Sequence, residues 1–297
     1  MSSQKLKAGS AHLIGRDAIA AKGYWQTYRL LLLRRLVQIT TLGLFLLGPV
    51  AGVWLLKGNL SSSQILEAVP LSDPFVYLQT LIAGHRGETT MLIGAAIVAV
   101  FYLLVGGRSY CSWVCPINPV TDLSGWLGRR LGIGRKVSIS RWLRYWILAL
   151  SLLLPAITGM VVWELVNPVS LLHRGIIFGM GMGWYFIGAI FLFDLFVLPK
   201  GWCGHICPMG AFYSLVGKFS PLRVKASKRD ACNDCMDCFA VCPEPQVIKP
   251  ALKGKEKGVG PVILSPNCTN CGRCIDICSV NVFEYGSRVA NLMENQP

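Results

Sequence analysis

Four runs of apolar positions punctuate the chain: Leu36 to Leu56, roughly Thr89 to Val105, Tyr145 to Trp163, and Gly175 to Leu198. Each reads as a helix long and apolar enough to cross a hydrocarbon core, which takes ~20 residues; the second is the shortest. Pro49 and Pro155 interrupt their runs, as membrane helices tolerate. Trp54, Tyr102, Trp146 and Trp163 fall near run ends, where aromatic belts form. A short amphipathic stretch follows the second and the fourth run, Asn118 to Leu127 and Gly210 to Val216, each predicted to lie along the membrane face. Two runs, a Cys-x-x-x-Cys-Pro motif and an amphipathic stretch thus occur twice over, an internal repeat. A basic linker, Lys218 to Arg229, then leads into a cysteine-rich tail. The pattern predicts a mainly α membrane protein: an N-terminal arm (1–35), a four-helix membrane domain (36–217) and a C-terminal α+β domain (218–297).

Composition agrees with membrane insertion. Of 297 residues, 53% are hydrophobic and 15% charged, against about a quarter charged in soluble domains. The net charge of +14 would suggest nucleic acid in a soluble protein, but its distribution gives another reason for it. Lys and Arg number seven in the arm, seven from Gly106 to Arg144 and twelve after Leu198. Only two fall between Lys57 and Glu88, and one between Glu164 and Arg174. The positive-inside rule places both termini and the middle loop in the cytoplasm and leaves no charge needing a nucleic-acid partner. Arg34-Arg35 ahead of the first run reads as a topological anchor, since no small-residue cleavage site follows it.

Twelve cysteines add the chemistry. Eight form two tail runs of equal spacing, Cys232, Cys235, Cys238 and Cys242, then Cys268, Cys271, Cys274 and Cys278. C-x2-C-x2-C-x3-C written twice is the ligand pattern of a two-cluster [4Fe–4S] ferredoxin, in which the fourth cysteine of each run serves the other cluster. Cluster one is therefore expected on Cys232, Cys235, Cys238 and Cys278, and cluster two on Cys268, Cys271, Cys274 and Cys242. Zinc wants four ligands in separated pairs, which this spacing does not offer. Ser279 stands where the first run has Pro243, which predicts a looser turn there. Between the runs, GKEKG reads as a solvated hairpin tip, with short strands expected near Gln246 to Lys249 and Pro261 to Leu264.

The other four cysteines sit in YCSWVCP (Cys111, Cys115) and WCGHICP (Cys203, Cys207). Cysteines four apart share one helix face. Three readings stand open. The four thiolates meet and hold a further metal or cluster; each pair is a redox-active dithiol working between quinol and clusters; or all four are buried structural thiols. His85, His173 and His205 lie in loops or the motif, where lone histidines are mostly solvated. Asp194, inside the fourth run, is costly to bury and reads as a proton acceptor or the partner of a nearby cation.

Four runs, a C-x3-C-P after the second and the fourth, and the two-cluster tail together resemble the NapH family, the membrane ferredoxin-type subunit of periplasmic nitrate reductase systems. The resemblance covers nearly the whole chain, including YRLLLLRRLVQ at the entry to the first run and SSSQILEAVPLSDPFVYLQTLIAGH after it. It implies a multi-pass protein of the bacterial inner membrane that moves electrons from membrane quinol toward the periplasmic reductase. A periplasmic multi-cluster ferredoxin of the NapG type is the implied partner, and nitrate reduction itself belongs to other subunits. Related membrane polyferredoxins serve nitrous oxide respiration, methylamine oxidation and copper-oxidase assembly. Rival expectations are therefore copper reduction or metalloenzyme assembly, and a scaffold that anchors the periplasmic ferredoxin. A cytoplasmic tail and a periplasmic acceptor stand on opposite sides of a ~30 Å core, and no chain of ligands through that core is legible.

Overall fold

A computed structural model describes residues 14–133, 137–179, 181 and 183–288. Residues 1–13 of the predicted arm, 289–297 of the tail, and 180 and 182 in the fourth apolar run lie outside the described residues.

The first run lies in α1, Arg16–Ala51, the one described helix long and apolar enough to cross a membrane. It begins earlier and ends earlier than the pattern predicts. Gly23, at φ 81°, breaks its first turns, and Gly52 in the left-handed conformation ends it three residues after Pro49. Leu56, the expected end of the span, instead opens an antiparallel sheet of β1 (Leu56–Gly58), β2 (Ser62–Ile65) and β3 (Val69–Ser72). α2 (Pro74–Ile82) starts on Asp73, whose carboxylate accepts the N–H of Phe75, with Pro74 preset for the first turn. α3 (Thr89–Val105) has the predicted bounds, and β3 packs along it where Gly94 leaves room for the backbone of Pro70 and Ser72. α4 (Ser109–Trp113) carries the first motif, and α5 (Ile117–Arg130) is the amphipathic stretch.

The second half repeats the plan with α6 (Leu143–Thr158), α7 (Val162–Val166), α8 (Pro168–Phe178), α9 (Gly183–Phe196), a π-helical turn over Trp202–Ile206, and α10 (Pro208–Val216). Asn167 caps α8 through Val169 N–H ahead of Pro168, as Asp73 caps α2 ahead of Pro74. The fourth predicted span is two helices, because Gly179 at φ 87° ends α8 inside it. α3, α6 and α9 have 17, 16 and 14 residues, ~21–26 Å of helix against a core of ~30 Å. The described architecture is therefore mainly helical, with one clear membrane-spanning candidate and three shorter apolar helices.

The tail domain pairs β4 (Leu222–Lys225) with β5 (Glu284–Ser287) and sets α11 (Asp237–Val241), α12 (Ile248–Lys253) and α13 (Arg273–Ile277) between them. The strand expected over Gln246 to Lys249 is overturned. Pro245 opens a 3-10 turn that runs into α12, whose Ile248, Ala251 and Leu252 bury one helical face. Over Pro261 to Leu264 the pairing is a single bridge, Val262 to Lys225. GKEKG is a 3-10 turn following α12, exposed from Lys255 to Gly258, rather than the tip of a hairpin.

From Arg16 onward the expected arm is helix, and it walls the tail domain. Lys22 Nζ donates to the carbonyls of Ile275 and Cys278, and Asp276 accepts the N–H groups of Leu30 and Leu31. Further along α1, Arg34 and Arg35 meet Asp122 of α5, which also takes Lys200 at 2.7 Å. The predicted anchor pair is thus also a tether between α1 and α5. Burial alone would raise the Asp122 carboxyl, but Lys200, Arg34 and Arg35 outweigh it and hold it well below the usual carboxylate range. A pKa lower in the folded than in the unfolded state gives stability that is complete above about pH 4 and is lost as the pH falls below it. Thermal melts of the detergent-solubilised protein should therefore drop steeply on acidification through that range. In Asp122→Asn the melting point should be lower at neutral pH and the acid drop shallower; parallel curves would remove Asp122 from the account.

Candidate iron–sulfur centre

Each tail run folds as a tight loop into a five-residue helix, and the two loops match position by position. Asp234 and Met236 of the first are left-handed at φ 58° and 65°; Asn270 and Gly272 of the second are at 46° and 70°. Alternation of this kind turns successive backbone N–H groups toward one concavity, the anion-binding nest found at many iron–sulfur sites. Glu244 N–H points at Cys242 Sγ (3.4 Å) and Val282 N–H at Cys278 Sγ (3.3 Å). Ser279 does not loosen its turn. Cys242 and Cys278 both leave their helices extended, at φ/ψ −73°/131° and −78°/112°.

Cys232, Cys235, Cys238 and Cys278 line one cavity, and Cys242, Cys268, Cys271 and Cys274 line another of like size. Among the described residues, no three of His, Cys, Asp or Glu gather closely enough to hold a single ion. Four thiols spaced around a cavity suit a body larger than one ion, as a [4Fe–4S] cubane is. The two cavities differ in depth. Cys235 is exposed in the first, whereas the second is pressed against the helices that carry the twin motif.

The two C-x3-C-P motifs meet. Cys111, Cys115, Cys203 and Cys207 line a third cavity, of like size, to which three helices contribute their N-terminal ends: α5 through Ile117, α8 through Asn167 to Val169, and α10 through Met209 and Gly210. Each such end carries roughly half a positive charge and unpaired N–H groups. An anionic thiolate-bound cluster fits that setting, as it fits the tail nests. Four thiols around one space match the first of the three readings more closely than two separate dithiols or plain packing.

Hydrogen bonds join this cavity to the second tail cavity. Ser112, beside Cys111, donates to the Thr269 carbonyl at 2.8 Å, and Trp113 Nε1 donates to the Asn270 carbonyl at 3.1 Å. Arg108 reaches the carbonyls of Cys203 (3.2 Å) and Asn267 (2.9 Å), while Gln38 of α1 donates to the Ser112 carbonyl (3.0 Å). Glu244, two residues after Cys242, receives Arg108 at 2.7 Å, Arg144 at 3.2 Å and Arg141. Arg108, Arg144 and Glu244 are 2, 0 and 1% exposed, so this network is a buried bolt between the domains. Sequence reasoning missed Glu244 and its arginines, whose one local signal is nearness to a Cys-Pro.

Other expectations change. His173 is buried in α8, edge-on to Phe45, and His205 is buried within its motif; neither is a solvated loop histidine. His85 is exposed and bonds the Gly159 carbonyl at 3.0 Å. Asp194 accepts the Trp202 N–H at 2.9 Å and so caps the second motif's turn, while its other oxygen has no partner. Asp73, unflagged by the sequence, accepts the Tyr213 hydroxyl at 3.3 Å. A segment expected as a loop outside the hydrocarbon core thereby touches the helix that follows the second motif.

Comparison with known proteins agrees with this geometry. The 4Fe-4S binding domain family matches residues 88–134 and 180–228, each holding one C-x3-C-P motif. The 4Fe-4S dicluster domain family matches residues 231–282, which hold all eight tail cysteines. The methylamine utilization ferredoxin-type protein MauN of Methylorubrum extorquens is 53% identical over 92% of this chain and 94% of its own. The ferredoxin-type protein NapH of Escherichia coli is 48% identical over 92% and 95%, and that of Haemophilus influenzae 46% over 95% and 98%. No solved structure matches the chain.

Proposed function

The chain belongs to the family of ferredoxin-type proteins that includes NapH and MauN, and from that premise we propose an integral membrane subunit that takes electrons from membrane quinol through three [4Fe–4S] clusters. Cys232, Cys235, Cys238 and Cys278 hold the first, Cys242, Cys268, Cys271 and Cys274 the second, and Cys111, Cys115, Cys203 and Cys207 the third. The observation that carries this reading is three four-cysteine cavities of like size, two of them joined through Ser112 and Thr269. One-electron exchange is the chemistry such clusters supply when bound. The chain's own residues present thiolates, direct backbone N–H groups and helix ends at the cavities, and keep water out with the buried Trp163 and the half-buried Trp202.

In this reading α1, α3, α6 and α9 all cross the membrane, both termini are cytoplasmic, and the segments 57–88 and 164–174 face the periplasm. α2 and α8 carry that face inward to the twin motif. Their 9 and 11 residues give ~13 and ~16 Å of helix, about half the ~30 Å core. The third site then lies within reach of a periplasmic multi-cluster ferredoxin, the route to a nitrate reductase. The 53% identity to MauN favours a second setting, methylamine utilization, with the same cofactors. Complementation of strains lacking NapH or MauN separates the two settings.

Iron and acid-labile sulfide, measured on protein purified without air, test the cofactor count. Wild type should hold about twelve irons, and a variant with serine at Cys111, Cys115, Cys203 and Cys207 about eight, four to each cubane. Equal content in the two proteins would leave the twin motif without a cofactor. Reduction of the bound clusters by added quinol tests the donor.

A further inference from the structure

Beside the twin motif lies a larger cavity, of about 340 Å³, walled by α1, β3, α3 and α10. Its two ends differ in chemistry. At the mouth, Ile97 and Phe101 stand one turn apart on α3 and are 41 and 54% exposed, an apolar opening toward lipid. At the inner end are the buried carboxylate of Asp73 and the phenols of Tyr102, Tyr110 and Tyr213. Tyr110 stacks on Tyr213 with centroids 4.8 Å apart, and Tyr102 meets both edge-on. The Tyr110 hydroxyl is buried without a hydrogen-bond partner, although Tyr110 is only 4% exposed. An orphaned buried hydroxyl costs free energy unless something completes it. Tyr110 also lines the cysteine cavity and immediately precedes Cys111.

We infer that this cavity binds the headgroup of an isoprenoid quinol, with the ring among the tyrosines, the tail leaving past Ile97 and Phe101, and Asp73 and Tyr110 engaging its oxygens. The inference rests on the quinol reading above and gives it a place. A carboxylate accepts a hydrogen bond from a quinol hydroxyl, and a phenol donates one to the oxygen of either redox form. A phospholipid headgroup is the other amphiphile at hand, and the lining argues against it. Among the described residues that line the cavity none is cationic, and Asp73 would repel phosphate. The internal repeat supplies a contrast. At the matching places across the repeat stand Asn167 for Asp73, Trp202 for Tyr110 and, in the first half, Thr121 for Tyr213. At none of these three matching places does the carboxylate or a phenol recur.

Three variants of the full-length protein in nanodiscs test this, with decylubiquinone as the probe and binding read by melting-point shift and titration. Tyr110→Phe removes a hydroxyl that bonds nothing in the fold, and it should weaken binding by about tenfold. Ile97→Trp narrows the mouth without touching the core and should weaken binding at least as much. Ile157→Trp, on the 72% exposed face of α6, is the control and should leave binding unchanged. If wild type binds the probe and its clusters are reduced by decylubiquinol, but neither Tyr110→Phe nor Ile97→Trp shifts the affinity, this cavity is not the site and the quinol reading survives. If wild type neither binds the probe nor is reduced by the quinol, both fall. Displacement of the probe by a phosphatidylglycerol headgroup at equal concentration would overturn the assignment in favour of lipid.

Discussion

Glu244→Ala is expected to unseat the tail domain from the helices that carry the twin motif. Three guanidiniums converge on that one carboxylate, Arg108 and Arg144 from fully buried positions. Removing it leaves at least two buried cations facing each other with no carboxylate between them. Breaking a buried pair from one side costs about 3–5 kcal/mol, because the partner's charge is left uncompensated. Against a domain stability of about 5–15 kcal/mol that is enough to loosen the junction. Arg108 and Arg144 also hold the Asn267 carbonyl and side chain beside Cys268, so the damage falls between the second tail cavity and the twin motif. Hydrogen exchange should rise over 105–113 and 265–271 while the tail keeps its iron. A hydrogen-exchange map identical to wild type would show that the network does not hold the domains together. Glu244→Gln keeps the hydrogen-bonding shape without the charge and should lie between the two.

The second large effect is expected at Gly107. A Cβ built there would sit on the Tyr213 carbonyl oxygen, and one built on Gly217 would meet the backbone of Gly107 in return. Both obstacles are main chain, so no side chain can swing aside. Overpacking against rigid backbone costs about 3 kcal/mol, and the shift would carry α10 and its Tyr213 away from Asp73. Gly107→Ala should lower the melting point, and quinone-analogue binding should fall with it. A serine at Gly43, which has nothing within 4 Å of a built Cβ, should leave both measurements unchanged. Retention of wild-type stability by Gly107→Ala would show that the contact between the two halves is softer than the backbone distances imply.

What the sequence made legible follows from how local each signal is. The tail cysteines repeat at a spacing set by cubane ligation, and the cavities are lined by the same two sets that the spacing predicts. α3 ran to its predicted bounds because nothing inside Thr89 to Val105 interrupts it. The fourth run failed where Gly179 takes a left-handed conformation, which hydropathy does not register. The inward path of Val69 to Ile82 depends on tertiary partners, among them the Gly94 backbone niche and the Tyr213 hydroxyl. Only the paired Asp73-Pro74 and Asn167-Pro168 hinted at it, and that signal emerges once the repeat is aligned. Glu244 was hidden because its three arginines come from two distant segments. The strand expected over Gln246 to Lys249 failed since Pro245 favours a helical first turn and the apolar residues that follow bury at helical spacing.

Each half of the repeat brings two of the four thiols that line the central cavity, so a chain of half this length and the same plan would own only half of that set. It could complete the set only across the axis of a symmetric homodimer, where one copy's pair faces its twin. Two copies bound to that symmetry would have to carry the same residue at both matching places, whereas a single chain holding both halves is free to differ at its flanks, as Asp73 and Asn167 or Tyr110 and Trp202 do.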